Sequence, residues 1–247
     1  VEIEIVNRYV RGNIHLTKVD SEYPDNKLTG ATFEVYKDSN ATGNLDDGDE
    51  LLGTLTEKEI GEYSMNDLFY GRYFVKETKA PEGFVLDTGV YEVMIDTNGK
   101  TYKVENKAGV GFVNDAMRGN LKIIKTSSDG KVKGFAFRIT GANGYDIILE
   151  TNDKGEIFID GLRIGDYTIS EVSNSASSMY VIPADKKATV KIGSTTIVEM
   201  HNVLRDTPKT GDTTNLPLLY ALAGLSAVGI AVCGVIGFKK KKKEDRN

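Results

Sequence analysis

With 247 residues, 40% of them hydrophobic, the chain has material for two modest domains and some additional segments. Its 31 basic against 36 acidic side chains give a formal charge of −5, a balance that disfavours a nucleic-acid partner. One Cys and two His leave no internal disulfide and no thiolate metal site to build.

In chain order, residues 1–9 alternate as Ile3, Ile5, Asn7 and are expected to be the last strand of a truncated upstream domain. Asn7 also opens a twelve-residue phrase, NRYVRGNIHLTK, that returns at residues 114–125 as NDAMRGNLKIIK and begins again at Asn202. Internal repetition identifies equivalent segments before any element is assigned. Here it marks three domain ends and two domain starts.

Residues 10–116 form a first series of short alternating runs (IHLTK, ATFEVY, ELLGTL, EYSM, RYFVKET, VYEVMI, VGFVN) separated by Gly, Asn, Asp and Pro clusters. Residues 117–204 repeat the series in the same order (LKIIK, FAFRIT, YDIILE, EIFI, DYTISEV, ATVKI, TTIVEMHN). The expected fold is all-β: two tandem immunoglobulin-like or prealbumin-like antiparallel sandwiches, followed by one transmembrane helix. The first copy is longer by an acidic loop, NLDDGDE at residues 44–50, and by a hairpin around Thr97, Asn98 and Gly99. Asp46, Asp47 and Asp49 lack the alternating spacing of a calcium loop, so a solvated turn and no metal are expected there.

Strand parity assigns directions to three kinds of polar residue. Lys18 continues the row of Ile14 and Leu16, and Lys125 that of Leu121 and Ile123, so each Lys faces the core, whereas Lys122 falls on the opposite face. Asn114 continues Val110 and Phe112, and Asn202 continues Val198 and Met200. Glu77 follows Tyr73 and Val75, and Glu171 follows Tyr167 and Ile169. A Lys and a Glu facing one apolar core lose solvation as ions, which pushes the amine down and the acid up in pKa until both can be neutral. A neutral amine is a nucleophile, and a protonated Glu can bond an Asn carboxamide and move protons.

Residues 205–215 are a polar linker, residues 216–238 carry no formal charge, and five lysines begin the basic tail at residues 239–247. The uncharged span is long enough, at about 1.5 Å per residue, to cross a bilayer core of ~30 Å, with the tail cytoplasmic and both sandwiches outside.

Thr207-Pro208-Lys209-Thr210-Gly211, followed by that span and that tail, resembles the LPxTG cell-wall sorting signal of Gram-positive surface proteins, with Thr207 where Leu is usual. The resemblance implies that a sortase cleaves between Thr210 and Gly211 and passes the acyl group to an amine of the peptidoglycan precursor or to a pilin lysine. The anchored protein would then lie on the cell surface, after a transient membrane stage through residues 216–238.

The run YFVKETKAPEGF at residues 73–84 resembles the YxLxETxAPxGY box of Cna B-type (prealbumin-like, SpaA-type) domains of pilins and adhesin stalks. The second copy keeps Tyr167, Ile169 and Glu171 but has no Ala-Pro-x-Gly after the Glu. The resemblance implies an autocatalytic Lys–Asn isopeptide bond in each domain, with Lys18, Glu77 and Asn114 as one set and Lys125, Glu171 and Asn202 as the other. Glu77 and Glu171 would be catalytic for bond formation only. Asn7 would be the acceptor of the upstream domain, and Asn106 is a rival acceptor to Asn114.

The expected function is therefore structural and non-enzymatic, with no cofactor: the wall-proximal stalk of an adhesin or pilus subunit. His15 and His201 belong to different domains and lie out of phase with the buried rows, and no Ser or Cys nucleophile has a base nearby. The competing expectation is a ligand-binding adhesin module that recognises a host matrix protein or glycan through its loops.

Overall fold

The computed structural model describes residues 9–206. The first sandwich consists of β1 (Arg11–Asp20), β2 (Thr32–Lys37), β3 (Glu50–Thr54), β4 (Thr56–Glu59), β5 (Glu62–Phe69), β6 (Gly71–Lys79), β7 (Val90–Ile95), β8 (Thr101–Lys103) and β9 (Phe112–Asn114). The second consists of β10 (Arg118–Ser127), β11 (Ala136–Thr140), β12 (Asp146–Glu150), β13 (Glu156–Arg163), β14 (Gly165–Val172), β15 (Tyr180–Val181), β16 (Lys186–Val190) and β17 (Thr195–Leu204).

Each sandwich packs two sheets. In the first, the order β4-β5-β1-β8, with β9 also on β1, faces β3-β2-β6-β7; in the second, β13-β10-β17-β15 faces β12-β11-β14-β16. The inward rows make the cores. Ile14, Leu16, Phe33, Val35, Tyr73, Val75 and Phe112 fill the first, and Leu121, Ile123, Phe137, Ile139, Ile169, Val198 and Met200 the second. Complete burial of each such aliphatic or aromatic group stabilises the fold by about 1.5–3 kcal/mol.

The duplication extends to polar detail. Tyr73 donates its hydroxyl to the Phe69 carbonyl at 2.7 Å, and Tyr167 donates to the Arg163 carbonyl at 2.9 Å, four residues back in both cases. Glu77 pairs across the sheet with Phe33, and Glu171 with Phe137.

Two expectations are corrected. The sandwiches are not purely antiparallel, because β1 runs parallel to β8 and β9, and β10 runs parallel to β17 over eight residue pairs. Alternation reports which face a side chain takes and is silent on strand direction. A chain that enters at one end of a sandwich and leaves at the other must have its first and last strands pointing the same way, so neighbours there are parallel. The turn at Thr97–Gly99 is not a hairpin either: β7 pairs with β6 and β8 with β1, so the chain crosses between sheets. The Tyr102 hydroxyl caps that crossing by accepting from the Asp96 and Thr97 amides at 3.1 and 3.0 Å.

The acidic loop closes on itself. Asp46 accepts from Asn40 Nδ2, the Gly48 amide and the Thr42 hydroxyl at 2.7–2.8 Å, and Asp49 from the Ser39 and Asp46 amides at 3.1 and 3.0 Å.

At the junction, Arg163 in the second sandwich grips the end of β1. It donates to both Asp20 carboxylate oxygens at 2.6 and 2.7 Å and to Glu22 at 2.8 Å, and stacks 4.8 Å from the Tyr23 ring. Arg118 also pairs with Glu22. Bidentate pairing to a buried carboxylate is among the stronger and more directional polar contacts.

Candidate cross-linking sites

Parallel pairing of first and last strands brings the predicted residues together. In the first sandwich Lys18 is opposite Phe112 and Asp20 opposite Asn114, and in the second Lys125 is opposite Met200 and Ser127 opposite Asn202. Each Asn is thus diagonal to its Lys on the shared inner face, within reach of a long side chain. The Glu arrives from the facing sheet.

In the first sandwich all three side chains are buried, with Lys18 and Glu77 wholly inaccessible. Lys18 Nζ donates to Asn114 Oδ1 and, at 3.1 Å, to the Phe112 carbonyl. Asn114 Nδ2 donates to Glu77 Oε2 at 2.8 Å and to the Val85 carbonyl at 2.6 Å. Glu77 Oε1 lies 3.9 Å from Lys18 Nζ and has no hydrogen-bond partner. The amine is therefore on the carbonyl side of the carboxamide, and the acid spans the two nitrogens. Burial pushes the Lys18 amine down to about 8, partly offset by the Glu77 charge, and burial pushes the Glu77 carboxyl up. At pH 7 that change raises the neutral amine from about one molecule in three thousand to about one in ten.

The second sandwich holds the same residues in a looser arrangement. Asn202 Nδ2 donates to Glu171 Oε1 at 2.6 Å, whereas Lys125 Nζ donates to its neighbour's carbonyl, Thr126 O, and lies 4.2 Å from the Phe135 ring. Asn202 Oδ1 and Glu171 Oε2 are both buried without a partner. Those two acceptors face no donor while Lys125 is turned away, and an unpaired buried polar atom costs about 1–3 kcal/mol. Burial lowers the Lys125 amine and raises the Glu171 carboxyl, as in the first site.

Lys122 is paired with Glu156 at 2.7 Å on the outer face, away from the core. Asn106, the rival acceptor, is 2.6 Å from Asp87 and bonded to the Val113 backbone. Sequence reasoning missed Asp87, whose amide donates to Glu77 Oε2 at 2.8 Å. It lies in the segment after the Ala-Pro-x-Gly turn, where no periodicity indicates direction. Asn7, the motif Thr207 to Gly211, the span 216–238 and the tail lie outside the described residues.

Chemically, each site offers an amine, a carboxamide and an acid in a water-poor core. Attack of a neutral Lys Nζ on Asn Cγ would form the N–C bond and break the Cγ–Nδ2 bond, with the proton lost by Nζ passed to Nδ2 through the Glu carboxyl and ammonia as the leaving group. No oxidant or cofactor enters the balance.

Two sandwiches of this topology, each closing a Lys, a Glu and an Asn between first strand, last strand and facing sheet, define a tandem prealbumin-like module. The chain belongs to the family of SpaA prealbumin-like fold domains, whose pattern matches residues 12–108 and 119–204. It is 27% identical over 176 residues to the trypsin-resistant surface T6 protein of Streptococcus pyogenes serotype M6, a match covering 70% of this chain and 29% of that protein. Among solved structures it resembles the Bacillus anthracis TIE protein, with a TM-score of 0.58 and 25% identity over 78% of this chain and 34% of that one. It also matches GBS52, the minor pilin of Streptococcus agalactiae, with a TM-score of 0.37 and 19% identity over 81% and 98% of the two chains. The chain thus spans about a third or less of the T6 and TIE proteins.

Proposed function

We propose that this chain is the wall-proximal stalk of a Gram-positive surface adhesin or pilus subunit, made inextensible by Lys18–Asn114 and Lys125–Asn202 isopeptide bonds and attached by a sortase. The observation that carries this reading is the buried Lys18–Glu77–Asn114 cluster, in which amine, carboxamide and acid meet with no solvent access to Lys18 or Glu77. Cross-links between first and last strands reroute tension. Force entering near Asn7 passes along β1 to Lys18, across to Asn114, along β10 to Lys125, across to Asn202, and on toward Thr210. Only the short junctions carry load, and the bodies of the sandwiches are bypassed. The order of sorting motif, uncharged span and basic tail supports attachment to peptidoglycan or to a pilin lysine, and the T6 relative is by its name a surface protein.

Single-molecule pulling on the full chain tests this. Lys18 and Asn114 are 96 residues apart, so an uncross-linked first sandwich would release roughly 330 Å on unfolding. The wild-type chain should extend without that step and the Lys18→Met variant should show it. A step of that length in the wild type contradicts the proposal.

A further inference from the structure

The closing strand differs between the two sandwiches. β17 is one continuous strand of ten residues, paired with β10 from Asn120 to Ser127. Its counterpart in the first sandwich is broken into β8 and β9, three residues each; the Val104 amide still bonds the His15 carbonyl at 2.9 Å, and residues 105–111 then leave the ladder in a compact turn closed by Lys107 and Gly111. Asn114 therefore sits at the end of a three-residue strand that is paired with β1 on one side only. Just past Asn114 the Asp115 carbonyl accepts from the Val85 amide at 2.8 Å, and a reacting side chain has to be held to within about 0.5 Å by contacts of this kind.

A side chain takes the place of the missing neighbour. Asn106 Nδ2 donates to the Val113 carbonyl at 2.8 Å, and Asn106 Oδ1 accepts from the Val113 amide at 2.6 Å. Its carboxamide thus pairs with β9 as the peptide group of an adjacent strand would, one residue before Asn114. The same Nδ2 donates to Asp87 Oδ2 at 2.6 Å. Tyr91 donates to that oxygen at 2.9 Å, and the Gly89 amide donates to Asp87 Oδ1 at 2.6 Å. The Asp87 amide in turn holds Glu77 Oε2, which holds Asn114 Nδ2. Hydrogen bonds thereby close a ring from Asn106 through Asp87, Glu77 and Asn114 back to Val113. Among the described residues the second sandwich shows no such ring: Glu171 Oε2 is unpartnered, and Lys125 Nζ bonds Thr126 O instead of Asn202.

We propose that Asn106 is a positioning residue for the Lys18–Asn114 cross-link, aligning the acceptor through the Val113 backbone and the acid through Asp87. The inference rests on the cross-linking function proposed above. Asn106 never bonds to the reacting atoms; it substitutes for a strand that the first sandwich lacks. Burial is what raises the Glu77 carboxyl, the bonds from Asn114 and the Asp87 amide oppose that rise, and the Asp87 charge adds only a smaller upward push, so what the ring fixes is the place of the acid.

The test is a time course on the full chain made by cell-free translation, quenched in denaturant and digested, with the Lys18–Asn114 and Lys125–Asn202 joined peptides quantified by mass spectrometry. The second site is the internal control. Asn106→Ala and the isosteric Asn106→Asp, which loses both donors, should slow closure of the first site by at least about tenfold and leave the second unchanged. Asn106→Gln, which retains the carboxamide, should restore most of the rate. If Asn106→Ala fails to form a folded first sandwich, Asn106→Asp decides. Closure at the wild-type rate in the Asp variant, or a Gln variant as slow as Asp, overturns the role of Asn106 while leaving the cross-link standing. Absence of the Lys18–Asn114 peptide from the wild type overturns both.

Discussion

Lys18 and Glu77 bury their charged ends 3.9 Å apart, and neither side chain is exposed at all. As a simple ion pair this arrangement is poorly made: Glu77 Oε1 receives no hydrogen bond, and each ion loses several kcal/mol of solvation. Burial works against both charges, lowering the Lys18 amine and raising the Glu77 carboxyl beside the Asn114 carboxamide, as the proposed cross-linking requires.

Replacing the acid should stop the chemistry and spare the fold. Glu77→Gln keeps the shape and an acceptor for Asn114 Nδ2, and it removes the group that carries a proton from Nζ to Nδ2. The purified variant should keep the ~17 Da of ammonia that the first site otherwise loses. Intact mass checks this, with Glu171→Gln expected to act only on the second site.

The two sites should close at different rates. Lys18 already touches the acceptor, whereas Lys125 must release Thr126 O and turn past Phe135 before it reaches Asn202. In a translation time course the Lys18–Asn114 peptide is expected first. Simultaneous appearance of the two joined peptides would contradict the asymmetry.

How much of this was legible beforehand follows from what each residue had to signal. Lys18, Glu77 and Asn114 announced themselves because a period of two carries each polar residue onto an apolar row. The repeated Arg-Gly-Asn phrase falls where β1 opens at Arg11 and β10 at Arg118. The parallel pairing of β1 with β9 and β10 with β17 left no such trace, since side-chain alternation is the same in either direction. Asp87 and Asn106 were illegible as supports because they act from irregular segments, through backbone groups that no side-chain pattern encodes. The crossing at Thr97–Gly99 looked like a hairpin turn because the turn chemistry is local, while the choice of sheet for β8 depends on the whole sandwich.

A free Lys18 should make stability depend on pH. In Asn114→Ala the amine stays uncross-linked, pushed down to about 8 by burial against an ordinary value of 10.5. Between those values the unfolded chain binds more protons than the folded one, so stability rises with pH. Denaturant titrations of this variant from about pH 7.5 to about 9.5 should show rising midpoints for the first sandwich. A wild type cross-linked as proposed, with the Lys18 nitrogen in an amide, should lack that increment.

The cross-link should also dominate the stability of the first sandwich. Lys18→Met fills similar volume without a nucleophile, and losing closure of a loop spanning 96 residues costs about 4–5 kcal/mol on a chain-entropy account. The measurement is the denaturation midpoint against wild type.

Arg163→Ala should loosen the junction without affecting either cross-link. It leaves the buried Asp20 carboxylate without its bidentate partner, a loss of about 3–5 kcal/mol of local interaction. Solution scattering should report a broader range of end-to-end distances, while the intact mass shows the same ammonia loss as wild type.

The most direct measurement is tandem mass spectrometry of the digested wild-type chain. The account predicts one branched peptide joining Lys18 to Asn114 and lighter by ~17 Da than the sum of its two parts. Separate Lys18 and Asn114 peptides at full mass would contradict it.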